Sequence, residues 1–97
     1  MRTELATCRP SRAPGLAAHH LAGTHTIEDP EGAQRFVINE TALAVWDLCD
    51  GDTSPAEMVN AMTSIFNAPP QVVERDVLSV LDHLASLGLL RGIEGCD

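Results

Sequence analysis

Along this chain the spacing of apolar positions changes once, from about two to between three and four. From Pro14 to Ile38 apolar and polar residues alternate loosely, the mark of half-buried strands, whereas from Glu40 onward the apolar positions recur at helical intervals. The first region predicts up to three short strands. Its clearest pair is a hairpin in which THTIE, Thr24 to Glu28, turns through DPEG, Asp29 to Gly32, into AQRFVI, Ala33 to Ile38. Pro30 presets the turn dihedral there, and Gly32 can adopt a positive one. Upstream, LAAHHL, Leu16 to Leu21, supplies the first strand.

Three helices follow, each with its own punctuation. Asn39 ends the last strand and can cap the first helix, and Glu40 places a negative charge where the exposed amides of the first turn favour one. That helix runs from about Glu40 to Cys49, and Ala42, Val45, Trp46, Leu48 and Cys49 cover more than half of its wheel. Asp50-Gly51 stops it, with Gly51 as the left-handed terminator. Ser54-Pro55-Ala56-Glu57 then reads as a capping box with proline at the first helical position. The second helix places Met58, Val59, Met62, Ile65 and Phe66 on one face before Asn67-Ala68-Pro69-Pro70 breaks it. A third helix extends from Pro70 to about Leu87 with a core stripe of Val73, Val77, Val80, Leu81, Leu84 and Leu87. Leu78 and Ala85 widen that stripe on one side, beyond what a single buried seam requires.

Strands first and helices after, joined by short connections, make one packed α+β unit. About three short N-terminal antiparallel strands followed by three helices is the outline of a winged helix-turn-helix. The expected division is a flexible tail over 1–14, a domain over 15–92 and a C-terminal tail over 93–97. At 97 residues the chain holds a single core near the lower size limit for folding without staples.

Charge alters what such an outline implies. Six arginines and no lysine stand against fourteen carboxylates, for a formal charge of -8. A winged helix is a DNA-binding shape by prior, and a DNA-binding regulator with its third helix in the major groove is the alternative reading. Polyanions are nevertheless repelled on average, and Arg2, Arg9, Arg12, Arg35, Arg75 and Arg91 are scattered, so neither nucleic acid nor an anionic membrane is an expected partner. A cationic segment on a partner is the better match. No stretch approaches the roughly 20 apolar residues of a membrane span. The three cysteines, Cys8, Cys49 and Cys96, show no metal-ligand or redox spacing, and their odd number points to a reducing cytoplasm.

Candidate chemistry is sparse. His19, His20, His25 and His83 match no helical ligand pair, so no metal is expected, and no glycine-rich loop offers a phosphate cradle. Cys49 reads as a small buried apolar side chain, with a reactive thiol as the lesser alternative. Neither a catalytic group nor a cofactor is expected, so the chain is not read as an enzyme. What remains is the strand AQRFVI beside a third helix with a wide apolar arc. An edge strand exposes unpaired amides and carbonyls to which a partner segment can add as one more strand. The residues alone leave this reading level with one in which both features belong to the core. A vacant edge can also pair with its own copy, giving a homodimer.

Three segments carry a resemblance: NETALAVWDLCDG, Asn39 to Gly51; SPAEM, Ser54 to Met58; and RDVLSVLDHLASLGLL, Arg75 to Leu90. Together they resemble the PqqD-like family, the recognition elements for ribosomally made and post-translationally modified (RiPP) peptides, and the likeness covers about Thr24 to Arg91. It implies a winged helix-turn-helix acting as a non-catalytic adaptor, or peptide chaperone. Such an adaptor binds the leader of a precursor peptide as an added strand and presents it to a modifying enzyme, often a radical S-adenosylmethionine protein. The implied contacts are Gln34, Arg35, Phe36, Val37 and Ile38 on the strand, with Asp76, Leu78, Leu81 and Ala85 on the third helix. The pathway stays open among pyrroloquinoline quinone formation, lasso peptides and other peptide systems.

Overall fold

The loosely alternating region folds into strands because β-branched and aromatic side chains there have a core to cover. In a computed structural model, residues 8–32 and 34–92 are described. The order is β1 (Ser11–Arg12), β2 (Ala17–Leu21), β3 (Thr24–Glu28), β4 (Arg35–Ile38), α1 (Glu40–Leu48), α2 (Pro55–Phe66), α3 (Pro70–Ser86) and β5 (Leu90–Arg91). Among these residues β2, β3 and β4 form an antiparallel sheet in that order, and β1 pairs with β5 in a second, two-stranded one. The expected α+β arrangement of N-terminal strands followed by three helices is the one observed.

Registers follow from turn chemistry. β2 and β3 are joined by Ala22 and Gly23, both with positive φ (53° and 81°), as a two-residue type I′ hairpin demands. The Asp29–Gly32 turn joins β3 to β4, and Ile27 lies opposite Phe36. Ile27 and Ile38 point into the core, where they meet Val45 and Trp46 of α1, Met58 and Met62 of α2, and Val77, Leu81 and Leu84 of α3.

Each helix begins as its sequence dictates. Asn39 Oδ1 accepts the Ala42 N–H at 2.8 Å. In the capping box, Ser54 Oγ accepts the Glu57 N–H at 3.2 Å and Glu57 Oε1 accepts the Ser54 N–H at 2.8 Å. These bonds hold the Glu57 carboxyl below its ordinary range, the backbone bond from Ser54 being the largest cause. The contribution of the box is therefore present above the unfolded carboxylate pKa and fades as pH falls through the lower folded one.

The expected tail boundary at residue 14 needs correction for the segment from Cys8 to Ala13. Cys8 and Pro10 are buried, and β1 lies between β5 and the turn after α1. Arg12 N–H donates to the Cys49 carbonyl at 3.0 Å, Ala13 N–H to the Leu89 carbonyl at 2.9 Å, and Gly51 N–H to the Pro10 carbonyl at 3.0 Å. The Arg12 guanidinium donates to the carbonyls of Trp46 and Asp47 at 3.1 and 2.9 Å. A cation thus sits at the negative end of α1, whose own last turn contains no basic residue. Residues 1–7 and 93–97, the rest of the expected tails, lie outside the described residues.

Two expectations about stability and reactivity arise here. Gly15 has φ of 83°, and a Cβ built on it would lie 2.6 Å from Pro30 Cγ. Gly15→Ala therefore meets both backbone strain and a clash with the β3–β4 turn. A loss of about 2 kcal/mol or more is expected in urea unfolding, against about 1 kcal/mol for Gly32→Ala, which meets the backbone strain alone with open space around it.

Cys49 is fully buried, and desolvation pushes its thiol up to about 12, with the nearby Arg12 charge opposing in part. The native thiol is consequently inert, and alkylation mapped by mass spectrometry should label Cys49 only after unfolding. The folded pKa lies above that of the unfolded chain, so the unfolded state loses its proton first. Stability should fall by up to about 1.4 kcal/mol per pH unit above about pH 9, a slope that Cys49→Ala removes.

Candidate functional site

The antiparallel ladder determines which backbone groups remain open. The Asp29 N–H donates to the Gln34 carbonyl at 3.2 Å, making this the hydrogen-bonded pair nearest the turn. Hydrogen-bonded and non-bonded pairs alternate, so Phe36 and Ile38 bond to β3 across from Ile27 and His25. The N–H and C=O groups of Arg35 and Val37 therefore point outward along the open side of β4. Because β4 is the last strand of its sheet among the described residues, these groups form a short vacant ladder there.

Beside that ladder lies α3. A cleft of about 210 Å³ separates them, lined by Val37, Ile38 and Asn39 from the strand end, Ala42 from α1, and Ser79, Val80 and His83 from α3. Its walls mix apolar residues (Val37, Ile38, Ala42 and Val80) with polar ones (Asn39, Ser79 and His83) in nearly equal measure, and Ala42 keeps its floor low. Among the lining residues only His83 can carry charge. An incoming strand alternates its side chains between two faces. One set would drop into the cleft over Ala42 and Val80, and the other would lie on the outer face of the sheet beside Val37 and Arg35.

Electrostatics on that outer face are internally satisfied. Arg35 donates twice to Glu28 Oε1, at 2.8 Å from Nη2 and 3.0 Å from Nε. Glu28 Oε2 lies 3.0 Å from His19 Nε2. The Arg35 side chain is thus engaged within the sheet, and its backbone is what faces the edge. A larger hollow, lined by His19, His20, Leu21, Thr24, Thr26, Glu28 and Arg35, lies on this solvent face. It has no helix behind it and offers no vacant ladder.

Of the strand residues expected from sequence, Arg35 to Ile38 form β4 and Gln34 lies just before it, with distinct roles. The Gln34 carbonyl is turned toward β3, Phe36 is half-buried against the core, Ile38 walls the cleft, and Arg35 and Val37 own the open edge, with Val37 72% exposed. On α3 the expected set needs correction. Leu81 is only 2% exposed and belongs to the core, while Leu78 and Ala85 are half-buried outside the cleft. Each lies two positions from a residue that does line it, Leu78 from Val80 and both Leu81 and Ala85 from His83, or roughly 200° around the helix. Asp76 is exposed on the cleft side, one turn before Ser79 and Val80. Sequence reasoning missed Asn39, Ala42, Ser79, Val80 and His83 as lining residues. The usable signal was that Asn39 alone separates β4 from α1, which fixes Ala42 next to the strand edge.

Among the described residues no group of histidines, cysteines and carboxylates could hold a metal ion, and no helix is long and apolar enough to cross a membrane.

Comparison with known proteins supplies independent findings. The family model described as coenzyme PQQ synthesis protein D (PqqD) matches residues 25–90, which include all of β3 but Thr24, β4 and all three helices. The PqqA binding protein of Gluconobacter oxydans (strain 621H) is 33% identical over 64 residues, covering 66% of this chain and 65% of that protein. The solution structure of the PqqD truncation of Methylobacterium extorquens PqqCD, a stand-alone RiPP recognition element, superposes with a TM-score of 0.71 at 25% identity, over 84% of this chain and 87% of that one. TbiB1 in complex with the TbiA(beta) leader peptide shares the fold at a TM-score of 0.70 and 22% identity, over 84% of this chain and 95% of that one.

Proposed function

Since this chain belongs to the PqqD family, we propose that it is a non-catalytic adaptor that binds the leader of a ribosomally made precursor peptide and presents it to a modifying enzyme. The observation that carries this reading is the vacant ladder of Arg35 and Val37 beside the cleft between β4 and α3, which offers Ile38, Ala42 and Val80 as apolar contacts. Main-chain bonds to the ladder fix the register of the visitor. Apolar side chains entering over Ala42 and Val80 then supply affinity at about 25 cal/mol per Å² buried.

The leader-contacting set is Arg35 and Val37 through their backbones, with Val37, Ile38, Ala42, Ser79, Val80 and His83 through side chains and Asp76 at the rim. Two relatives support the choice of ligand: one is a PqqA binding protein, and TbiB1 holds a leader peptide. A radical S-adenosylmethionine protein is the proposed enzyme partner. DNA readout has no support in the third helix, where Arg75 stands beside Glu74, Asp76 and Asp82.

Titration with the leader of a precursor peptide encoded beside this gene, followed by amide NMR, tests the proposal. Saturable binding with the largest shifts at Arg35, Val37 and the Ser79–His83 turn is expected. A leader that does not bind, or one whose shifts fall on β1 and β5, would overturn it.

A further inference from the structure

The sheet has a second open side. Among the described residues β2 is the other edge strand, and all five of its residues are exposed. The two-residue Ala22-Gly23 loop closes on the hydrogen-bonded pair Leu21 and Thr24, so alternation makes His19 with Thr26 and Ala17 with Glu28 the other bonded pairs. The N–H and C=O groups of Ala18 and His20 are left pointing outward. We infer that this edge pairs with the β2 strand of a second copy of the chain, joining two three-stranded sheets into one of six strands.

Three observations select that occupant. First, natural edges are guarded by fixed charge, proline or a bulge, and Ala17-Ala18-His19-His20-Leu21 has neither proline nor a carboxylate, with no bulge in its register. Second, the strand is self-complementary about a two-fold axis at His19. Ala18 and His20 of one copy exchange bonds with His20 and Ala18 of the other, and His19 faces its own equivalent. No carboxylate meets another along this seam, in a chain with a net charge of -8. Glu28, the nearest acid, is already held by Arg35 and His19.

Third, the two edges differ in what they can admit. The β4 edge is walled by α3 and has room for a lone extended segment. The β2 edge is open above and below, with Leu21 81% exposed at its end, so a whole sheet can approach. Pairing through β2 closes after two copies, because the axis is isologous. It leaves both β4 ladders at the outer ends of the six-stranded sheet, free for ligand.

Two five-residue strands bury less than the roughly 1,000 Å² of a permanent interface, so a dissociation constant of about 100 μM is expected. The remote negative charges oppose association, and salt should strengthen it.

Sedimentation velocity from about 10 μM to about 1 mM on the full chain, with amide NMR across the same series, is the test. The expected result is a reversible monomer–dimer equilibrium, with concentration-dependent shifts at Ala18 and His20. Ala18→Pro, which removes an outward N–H and no ladder bond, should weaken the dimer at least about tenfold. So should His19→Lys, which can still reach Glu28 but sets two fixed positive charges face to face. A chain monomeric throughout, a dimer indifferent to both variants, open-ended association, or a dimer lost only with Val37→Pro would each overturn the inference.

Discussion

Val37→Pro is expected to weaken leader binding by about tenfold or more, at least about 1.4 kcal/mol, while the domain stays folded. The Val37 N–H faces away from β3, so proline removes a donor that only a visitor would use. Edge strands accept proline for the same reason, and Phe36 before it is already extended. The substitution also deletes an exposed apolar side chain from the rim of the cleft. Phe36→Pro makes the contrast. Its N–H is spent on the β3 ladder and its ring packs on the core, so the variant should lose stability as well as binding. Calorimetric titration with the leader, alongside urea unfolding of both variants, separates the two effects. If Val37→Pro bound the leader as tightly as the wild type, the strand-addition reading would fail, whatever the effect of Phe36→Pro.

Much of the fold was legible in the sequence because local signals and tertiary packing agree. Asn39 and the Ser54–Glu57 box are punctuation whose chemistry acts within four residues, and each does in the structure what its type dictates, whereas α1 ends at Cys49 and Gly51, though left-handed, donates its N–H to the distant Pro10 carbonyl. The hairpin before β4 was equally readable, since Pro30 and Gly32 advertise a turn. The one before β3 was better hidden: Ala22 occupies a left-handed position that alanine disfavours, so AG carries a weaker signal than the usual NG. The flank of α3 that faces β4 was not legible. A helical wheel shows two sides to a core stripe but not which of them the strand lies against. Val80 reads as core and Leu78 as the flank that would meet the leader, because periodicity reports the angle around one helix and nothing about its neighbours. Non-local pairing stayed hidden as well. Ser11-Arg12 is too short for any period to register, and its partner is Leu90-Arg91 at the far end of the domain.

That hidden pairing makes the N-terminal segment the second large test. Deleting residues 1–14 should lower unfolding stability by about 3–5 kcal/mol, a large share of the roughly 5–15 that a small domain possesses. β5 would lose its only strand neighbour among the described residues, and Leu89 and Leu90, both buried, would lose the cover of β1. The carbonyls of Trp46, Asp47, Cys49 and Leu89 would each lose a donor. Arg12→Ala isolates one part of this. It removes two charge-assisted bonds at the C-terminus of α1 while β1 stays in place, and a loss of about 1–3 kcal/mol is expected. Leader affinity at 25 °C should change little in Arg12→Ala, because β4 and the Ser79–His83 turn belong to the opposite sheet and to α3. Urea midpoints for the two proteins give the ordering. A deletion that unfolds at the same midpoint as the full chain would restore the loose-tail reading of residues 8–13, and would mean that Arg12 caps α1 without stabilising it.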